Sequence, residues 1–228
     1  MLPVFQNPQL LTTALTHRSA LNEKGSAKKI QSYERFEYLG DAVLELAVSE
    51  FVFHQFPKEP EGVLTSYRSA LVKTETLAKI SVNLGLGEKL FMSRGEVQTG
   101  GRENKGILAD VFEAVVGALY LDQGFPAVVA FLEAVLFPEF QTIMQTKSYQ
   151  DAKSVLQEKV QSLGFSAPTY RLVEAVGPDH SKQFTIEVLI NGVSAATGIG
   201  QSKQQAQQQA AQTALEQFNQ DLYNPSSS

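Results

Sequence analysis

Apolar positions recur at helical spacing through Leu39–Phe53, Leu64–Leu84, Ile107–Leu121 and Phe125–Phe140. Between these runs stand Pro57 and Pro60, Gly85 and Gly87, Gly95 and the pair Gly100-Gly101, residues that interrupt helices. Pro126, two residues after Gly124, suits the first turn of a further helix. β-branched alternation is scarce up to residue 145, so residues 1–145 are predicted to form an all-α domain. The polar stretch 146–150 reads as a linker. An amphipathic run, Ala152–Leu163, follows and stops at Gly164. Two strand patterns come next, Tyr170–Ala175 and Gln183–Ile190, separated by Gly177-Pro178-Asp179-His180. Asn191-Gly192 is a hairpin signal leading to a third strand over Val193–Gly198, and a last helix is predicted from Lys203 to Asn219. Residues 151–220 therefore read as a small α+β module of order α-β-β-β-α, with 221–228 as a disordered tail.

Composition narrows the function classes. An apolar fraction of 43% and a charged fraction of 19% over 228 residues are those of a globular chain. No apolar run reaches the roughly 18 residues of a membrane span, and the N-terminal residues lack a signal-peptide pattern. The chain has no cysteine, which excludes disulfides, thiol nucleophiles and cysteine-ligated metals and fits a cytoplasmic location. The net charge of −5 is an unpromising start for a nucleic-acid binder.

The acids are more telling. On a helix, Glu34, Glu37 and Asp41 stand at i, i+3 and i+7, within a sector of roughly 60°. Their neighbours Phe36, Leu39, Ala42, Val43, Leu44, Leu46 and Ala47 are apolar nearly all round, so the acids are expected to be partly buried. Asp110 and Glu113 repeat the pattern inside Ile107–Leu121. Ionised carboxylates in apolar surroundings need a partner charge or a metal ion. One reading is helix capping or pairing with Arg18, Arg35 or Arg102. The other is a divalent-cation site of the two-metal kind, in which cations activate an attacking water and stabilise charge on a phosphodiester. A di-iron carboxylate bundle would want Glu-x-x-His, which His17, His54 and His180 do not supply.

Glu34 to Leu44 closely resembles the ribonuclease III family signature N-E-R-L-E-F-L-G-D-[SA]-V-L, departing at the position of Tyr33 and at Phe36 and Tyr38. Thr16-His17-Arg18-Ser19 looks like the family's T-H-[RK]-S element, and Glu61-Gly62 with Leu64-Thr65 like its E-G-x-L-[ST] segment. Gly100 to Lys105 and Leu108 to Ala114 match the last catalytic block, and Asp151 to Leu215 looks like a double-stranded RNA-binding domain. The resemblance implies a multi-domain chain: an all-α endonuclease domain of the ribonuclease III type, then an α+β double-stranded RNA-binding domain. It implies cation ligation by Glu37, Asp41, Asp110 and Glu113, with Asp41, Glu113 and Glu34 as catalytic residues and Glu61 lining the valley. It further implies a homodimer that hydrolyses double-stranded RNA with Mg²⁺, or Mn²⁺ in its place, leaving 5′-phosphate and 3′-hydroxyl ends. Processing of ribosomal RNA precursors and structured messages follows from the family, with no organic cofactor and no membrane partner. The alternative is a non-catalytic double-stranded RNA-binding scaffold, against which the full acid set argues. His17 reads as structural, and Gly100-Gly101 as a loop rather than a phosphate cradle.

The same resemblance assigns RNA contacts in the second module to Gln157 and Glu158 on its first helix, to His180 in the loop, and to Ser202 and Lys203 at the last helix start. Such modules usually carry several lysines there. This chain has Lys203-Gln204-Gln205-Ala206-Gln207, and from residue 150 on acidic residues outnumber basic ones seven to five. Fewer phosphate contacts predict modest affinity and a shallow salt dependence. The nine glutamines between 201 and 220 are expected on an exposed helix face.

Overall fold

The computed structural model describes residues 2–22, 31–146, 151–178 and 182–223. The chain divides into two compact units, Met1–Tyr149 and Gln150–Ser228. The first is helical: α1 (Pro8–Ala14), α2 (Glu34–Gln55), α3 (Glu61–Val72), α4 (Thr74–Asn83), the short α5 (Leu86–Lys89) and α6 (Arg94–Gln98), then α7 (Lys105–Gln123), α8 (Phe125–Val135) and α9 (Glu139–Thr146). No single helix among the described residues is long and apolar enough to cross a membrane.

α7 is the axis of this unit. Asn104 caps its start by accepting from the Gly106 and Ile107 amides at 2.9 and 3.2 Å. Most residues from Leu108 to Leu119 are buried, sheathed by α1, α2, α4 and α8. Two predicted runs are each split in two. Leu64–Leu84 breaks at Lys73, whose ψ of 150° is extended. The buried Thr76 hydroxyl donates to the Ala70 carbonyl at 2.8 Å, satisfying an oxygen that a continuous helix would bond through its own amide. Phe125–Phe140 breaks before Pro138, which has no amide to donate and disfavours helix at Phe137.

The second unit has α10 (Ala152–Ser162), β1 (Thr169–Val176), β2 (Gln183–Ile190), β3 (Val193–Gly200) and α11 (Lys203–Glu216). The sheet is antiparallel in the order β1-β2-β3, with Val188 opposite Tyr170 on one side and Ala196 on the other. Asn191 and Gly192, with φ of 51° and 80°, make the tight β2–β3 turn that the sequence signals. Leu156, Val160, Val188 and Ile190 form the core with Ala210, Ala211 and Ala214 of α11. Residues 221–223 correct the predicted tail: Gln220–Tyr223 is a 3-10 turn and Tyr223 is only 3% exposed within the core. Residues 224–228, and the linker apart from Thr146, lie outside the described residues.

Candidate active site and RNA-binding face

The acid cluster exists because α2 and α7 touch backbone to backbone. Gly40 lies against the Glu113 carbonyl and the Gly117 amide, and Gly117 against the Phe36 carbonyl and Gly40. A Cβ on either glycine would overlap main chain of the opposite helix. The close crossing brings Glu37 and Asp41 of α2 within electrostatic reach of Asp110 and Glu113 on α7.

Their charges act on one another. Burial and then the charges of Asp41, Asp110, Glu37 and Glu45 push the Glu113 carboxyl up to about 8. Glu37 is raised by burial and by Asp110, Glu34 and Asp41. The burial expected for the α2 acids is only partly present. Glu37, Asp110 and Glu113 are partly buried, whereas Glu34 and Asp41 are exposed. The reason is that α2 buries only one side, through Val43, Leu44, Ala47, Val48 and Val52, and leaves Tyr38, Leu46 and Phe53 in the open.

An open cleft of about 440 Å³ adjoins the cluster, lined by His17, Arg18, Tyr33, Glu34, Glu37, Glu96, Ile107 and Asp110. Asp41 and Glu113 are not among its lining residues. Arg18 lies 3.7 Å from Glu34. His17 is buried, with Nδ1 2.8 Å from the Ser19 hydroxyl and accepting the Ser19 amide at 3.2 Å. Its amide donates to the Phe91 carbonyl at 2.9 Å, and Ser19 Oγ accepts the Ser93 amide at 3.0 Å. This bracing is the structural role expected of His17. Ser93 in turn caps α6 by accepting the Glu96 amide at 3.2 Å, which brings in Glu96, a carboxylate the sequence reading passed over. Tyr33 was passed over too, as a tolerated departure from the signature. Glu61 stands apart: it accepts from the Thr65 hydroxyl at 3.0 Å on its own helix and is not among the charges that raise Glu37 or Glu113.

Among the described residues, no three acidic or histidine side chains already form a closed ligand cage. The donor set nonetheless suits a hard cation. The ion pairs of the first unit among the described residues join Arg18 to Glu34, Arg68 to Glu45 and Lys79 to Glu139, and none reaches Glu37, Asp41, Asp110 or Glu113. Mg²⁺ takes one or two carboxylates and keeps its waters, so an open set of unpaired oxygens fits it.

The raised pKa values set a pH dependence. A carboxyl whose pKa in the fold exceeds its ordinary 4.5 holds a proton that the unfolded chain has released, so its stabilising contribution is present at low pH and is lost as pH rises towards 8. In EDTA, the unfolding midpoint is therefore expected to fall between pH 5.5 and pH 8, as read by circular dichroism. A midpoint that rises over this range would contradict the coupling.

In the second unit, Gln157 and Glu158 are exposed on α10 and Lys203 is exposed at the first position of α11. Ser202 caps that helix, its hydroxyl accepting the Gln205 amide at 3.1 Å. His180 lies outside the described residues. Five of the glutamine side chains are engaged within the module, Gln212 by donating to Glu216 on the same helix at 2.8 Å and four others by bonds that leave α11. Gln205 accepts the Gln201 amide at 2.9 Å and Gln209 the Ile199 amide at 2.6 Å. Gln207 accepts from Lys153 at 2.8 Å, and Gln208 donates to Asp151 at 2.6 Å.

Comparison with known proteins agrees with this architecture. Residues 7–140 match the family model Ribonuclease-III-like, and residues 152–218 match Double-stranded RNA binding motif. The chain is 46% identical to Ribonuclease 3 of Geobacillus kaustophilus, over 93% of this chain and 85% of that one. It is 44% identical to Ribonuclease 3 of Anoxybacillus flavithermus, over 95% and 90%. The crystal structure of the ribonuclease III nuclease domain from Campylobacter jejuni superposes with a TM-score of 0.54 at 41% identity, covering 60% of this chain and 88% of that one. A second structure of that domain, described as flexible in a region involved in dimer formation, gives 0.53 at 43% identity over 59% and 92%. A helical nuclease domain joined to a double-stranded RNA-binding module defines the class. The chain belongs to the ribonuclease III family of endoribonucleases.

Proposed function

We propose that the chain hydrolyses phosphodiester bonds of double-stranded RNA with divalent cations held by Glu37, Asp41, Asp110 and Glu113, leaving 5′-phosphate and 3′-hydroxyl ends. The observation that carries this reading is the meeting of these four carboxylates on two crossing helices, three of them raised in pKa by burial, Glu37 and Glu113 also by the charges of neighbouring acids, and none paired with a basic side chain among the described residues. Cations bound there would supply an activated water and offset charge on the phosphate and the leaving oxygen. Mg²⁺ is the expected ion, with Mn²⁺ as its substitute. Glu34 sits at the rim beside Arg18, where the RNA backbone would pass, and Glu61 would line the valley. Gln157, Glu158, His180, Ser202 and Lys203 would meet the minor groove and the phosphates of the duplex.

The working unit of this reading is a homodimer. Tyr38 is 84% exposed on α2, in line with the exposed Leu46 and Phe53 and next to the acids, an apolar stripe that a second copy would cover. Processing of ribosomal RNA precursors and structured messages in the cytoplasm is the cellular role in keeping with this chemistry.

The test is cleavage of a labelled RNA duplex of a few dozen base pairs by the full chain. Cutting is expected with Mg²⁺, and none is expected with EDTA or on the single strand. Binding without cutting would favour the scaffold alternative. The glutamine contacts add an expectation about affinity. Because Gln205, Gln207, Gln208 and Gln209 are used internally, Lys203 is the cation left to serve phosphate at the start of α11. Lys203→Gln should reduce the slope of log affinity against log salt by about one, measured on the duplex in EDTA.

A further inference from the structure

His17 is held by both of its main-chain groups and by one edge of its ring. Its amide donates to the Phe91 carbonyl at 2.9 Å, and its carbonyl accepts the Ala20 amide at 3.0 Å. The residue is 7% exposed, with its ring 5.8 Å from that of Tyr33 and tilted by 44°. Two donors converge on Nδ1. Ser19 Oγ accepts the Ser93 amide at 3.0 Å, which leaves its own proton for Nδ1, 2.8 Å away. The Ser19 amide donates to the same nitrogen at 3.2 Å. A nitrogen that accepts an amide proton carries none of its own, so the ring proton is on Nε2.

Nε2 has no hydrogen-bond partner among the described residues, yet it is not one of the side-chain atoms buried without a partner. It therefore reaches open space. The open space that His17 borders is the cleft, which Ser19, on the other edge of the ring, does not line. A protonated Nε2 offers no lone pair, so His17 is a fixed donor there and not a cation ligand. Glu34, Glu37, Glu96 and Asp110 share the cleft, and Arg18 stands beside them with its side chain 74% exposed. Four carboxylates against one guanidinium repel an anion until cations offset their charge. Once they do, a phosphate oxygen is the acceptor that an N–H donor and a guanidinium together suit. Glu37 and Asp110 border the cleft while Asp41 and Glu113 do not, so the cleft opens to one side of the cation site. From this geometry we propose that His17 is a substrate-binding residue, whose Nε2–H donates to a non-bridging oxygen of a phosphate next to the one that is cut, and does so only when the cation site is filled.

This role depends on the cation site proposed above, and the experiment separates the two. The affinity of the full chain for a labelled RNA duplex is measured by fluorescence anisotropy in EDTA and in Ca²⁺, which takes the same oxygen ligands. Cleavage of sub-saturating duplex in Mg²⁺ is measured in parallel. The chains are wild type, His17→Asn and His17→Gln. Asparagine places a polar atom near Nδ1 and nothing near Nε2, whereas glutamine reaches the Nε2 position with an N–H and gives up the acceptor at Nδ1. His17→Asn is expected to bind the duplex about tenfold more weakly in Ca²⁺, the effect of one hydrogen bond to a charged group, and as well as wild type in EDTA. Its cleavage should fall by the same factor. His17→Gln should lose less than about threefold in both, while its unfolding midpoint falls below that of His17→Asn because Ser19 has lost its acceptor. Duplexes with a single methylphosphonate at either phosphate flanking the cut then locate the contact. At one of them the substitution should cost wild type about tenfold and His17→Asn less than about twofold, because the two groups act as one. A wild-type chain that cuts no duplex with Mg²⁺ would overturn the cation site itself. Wild-type affinity of His17→Asn in Ca²⁺, an equal loss in EDTA, as large a loss in His17→Gln, or a methylphosphonate cost shared by both chains at each position would overturn the phosphate contact alone.

Discussion

Glu113→Gln is expected to abolish duplex cleavage while leaving the protein at least as stable as wild type. The two halves of this result have one cause. Glu113 is partly buried on α7 with the charges of Asp41, Asp110, Glu37 and Glu45 around it, and its carboxyl is pushed up to about 8. Glutamine keeps the shape and removes the charge that its surroundings repel. In EDTA at pH 8, where the wild-type carboxyl is losing its proton, the variant's unfolding midpoint should equal or exceed that of wild type. The charge is nevertheless what a cation needs. Losing one preorganised group that stabilises developing charge costs on the order of 10²- to 10³-fold in rate. The expected readout is therefore a fall of at least that size in the single-turnover rate with Mg²⁺, with duplex affinity in EDTA unchanged or slightly tighter. Unchanged cleavage would remove Glu113 from the mechanism. A lost rate accompanied by a lowered midpoint would make its role structural.

Much of this site could be read from residue spacing, because a helix turns spacing into a face. Glu34, Glu37 and Asp41 share a side of α2, and Asp110 and Glu113 share a side of α7. Spacing does not say how far those sides project from the core. The apolar neighbours suggested burial all round, but Tyr38, Leu46 and Phe53 are exposed and the α2 acids lie next to that open stripe, so Glu34 and Asp41 are exposed as well. The hairpin was legible because Asn191-Gly192 carries its own backbone preference. The break at Lys73 was not, because it depends on a side chain, Thr76, answering the Ala70 carbonyl once the helices have packed. Glu96 and Tyr33 escaped notice for a related reason. Neither belongs to a charged periodicity, and each reaches the cleft through a chain of hydrogen bonds that involves His17, Ser19, Ser93 or Thr16. The glutamines of α11 lie on the polar face that their spacing predicts, with the alanines buried. Periodicity does not show that four of those side chains bond back onto the module.

Gly40→Ala should do more damage than its size suggests, and in the direction opposite to the usual helix rule. In an open helix, replacing glycine by alanine gains about 1 kcal/mol. Gly62, in the first turn of α3 with nothing within 4 Å of an added Cβ, should show that gain or stay neutral. Gly40 cannot, because an added Cβ overlaps the Glu113 carbonyl and comes within 2.9 Å of the Gly117 amide. The obstacle is main chain on a buried helix, so no rotamer change relieves it, and α2 and α7 must separate. Overpacking of this kind costs about 1–3 kcal/mol or more, and for a unit of this size the unfolding midpoint should fall by roughly 5–10 °C. The atom that is struck belongs to Glu113, so the variant should also lose activity below its unfolding range. Displacing a reacting constellation by about 1 Å can cost 10²-fold in rate. Thermal unfolding and cleavage at a temperature where both proteins are folded measure the two effects separately. Gly117→Ala, which meets the Phe36 carbonyl from the other side of the same crossing, should repeat both. A pair of stable, fully active variants would mean that the crossing is looser than the contact between Gly40 and Gly117 requires.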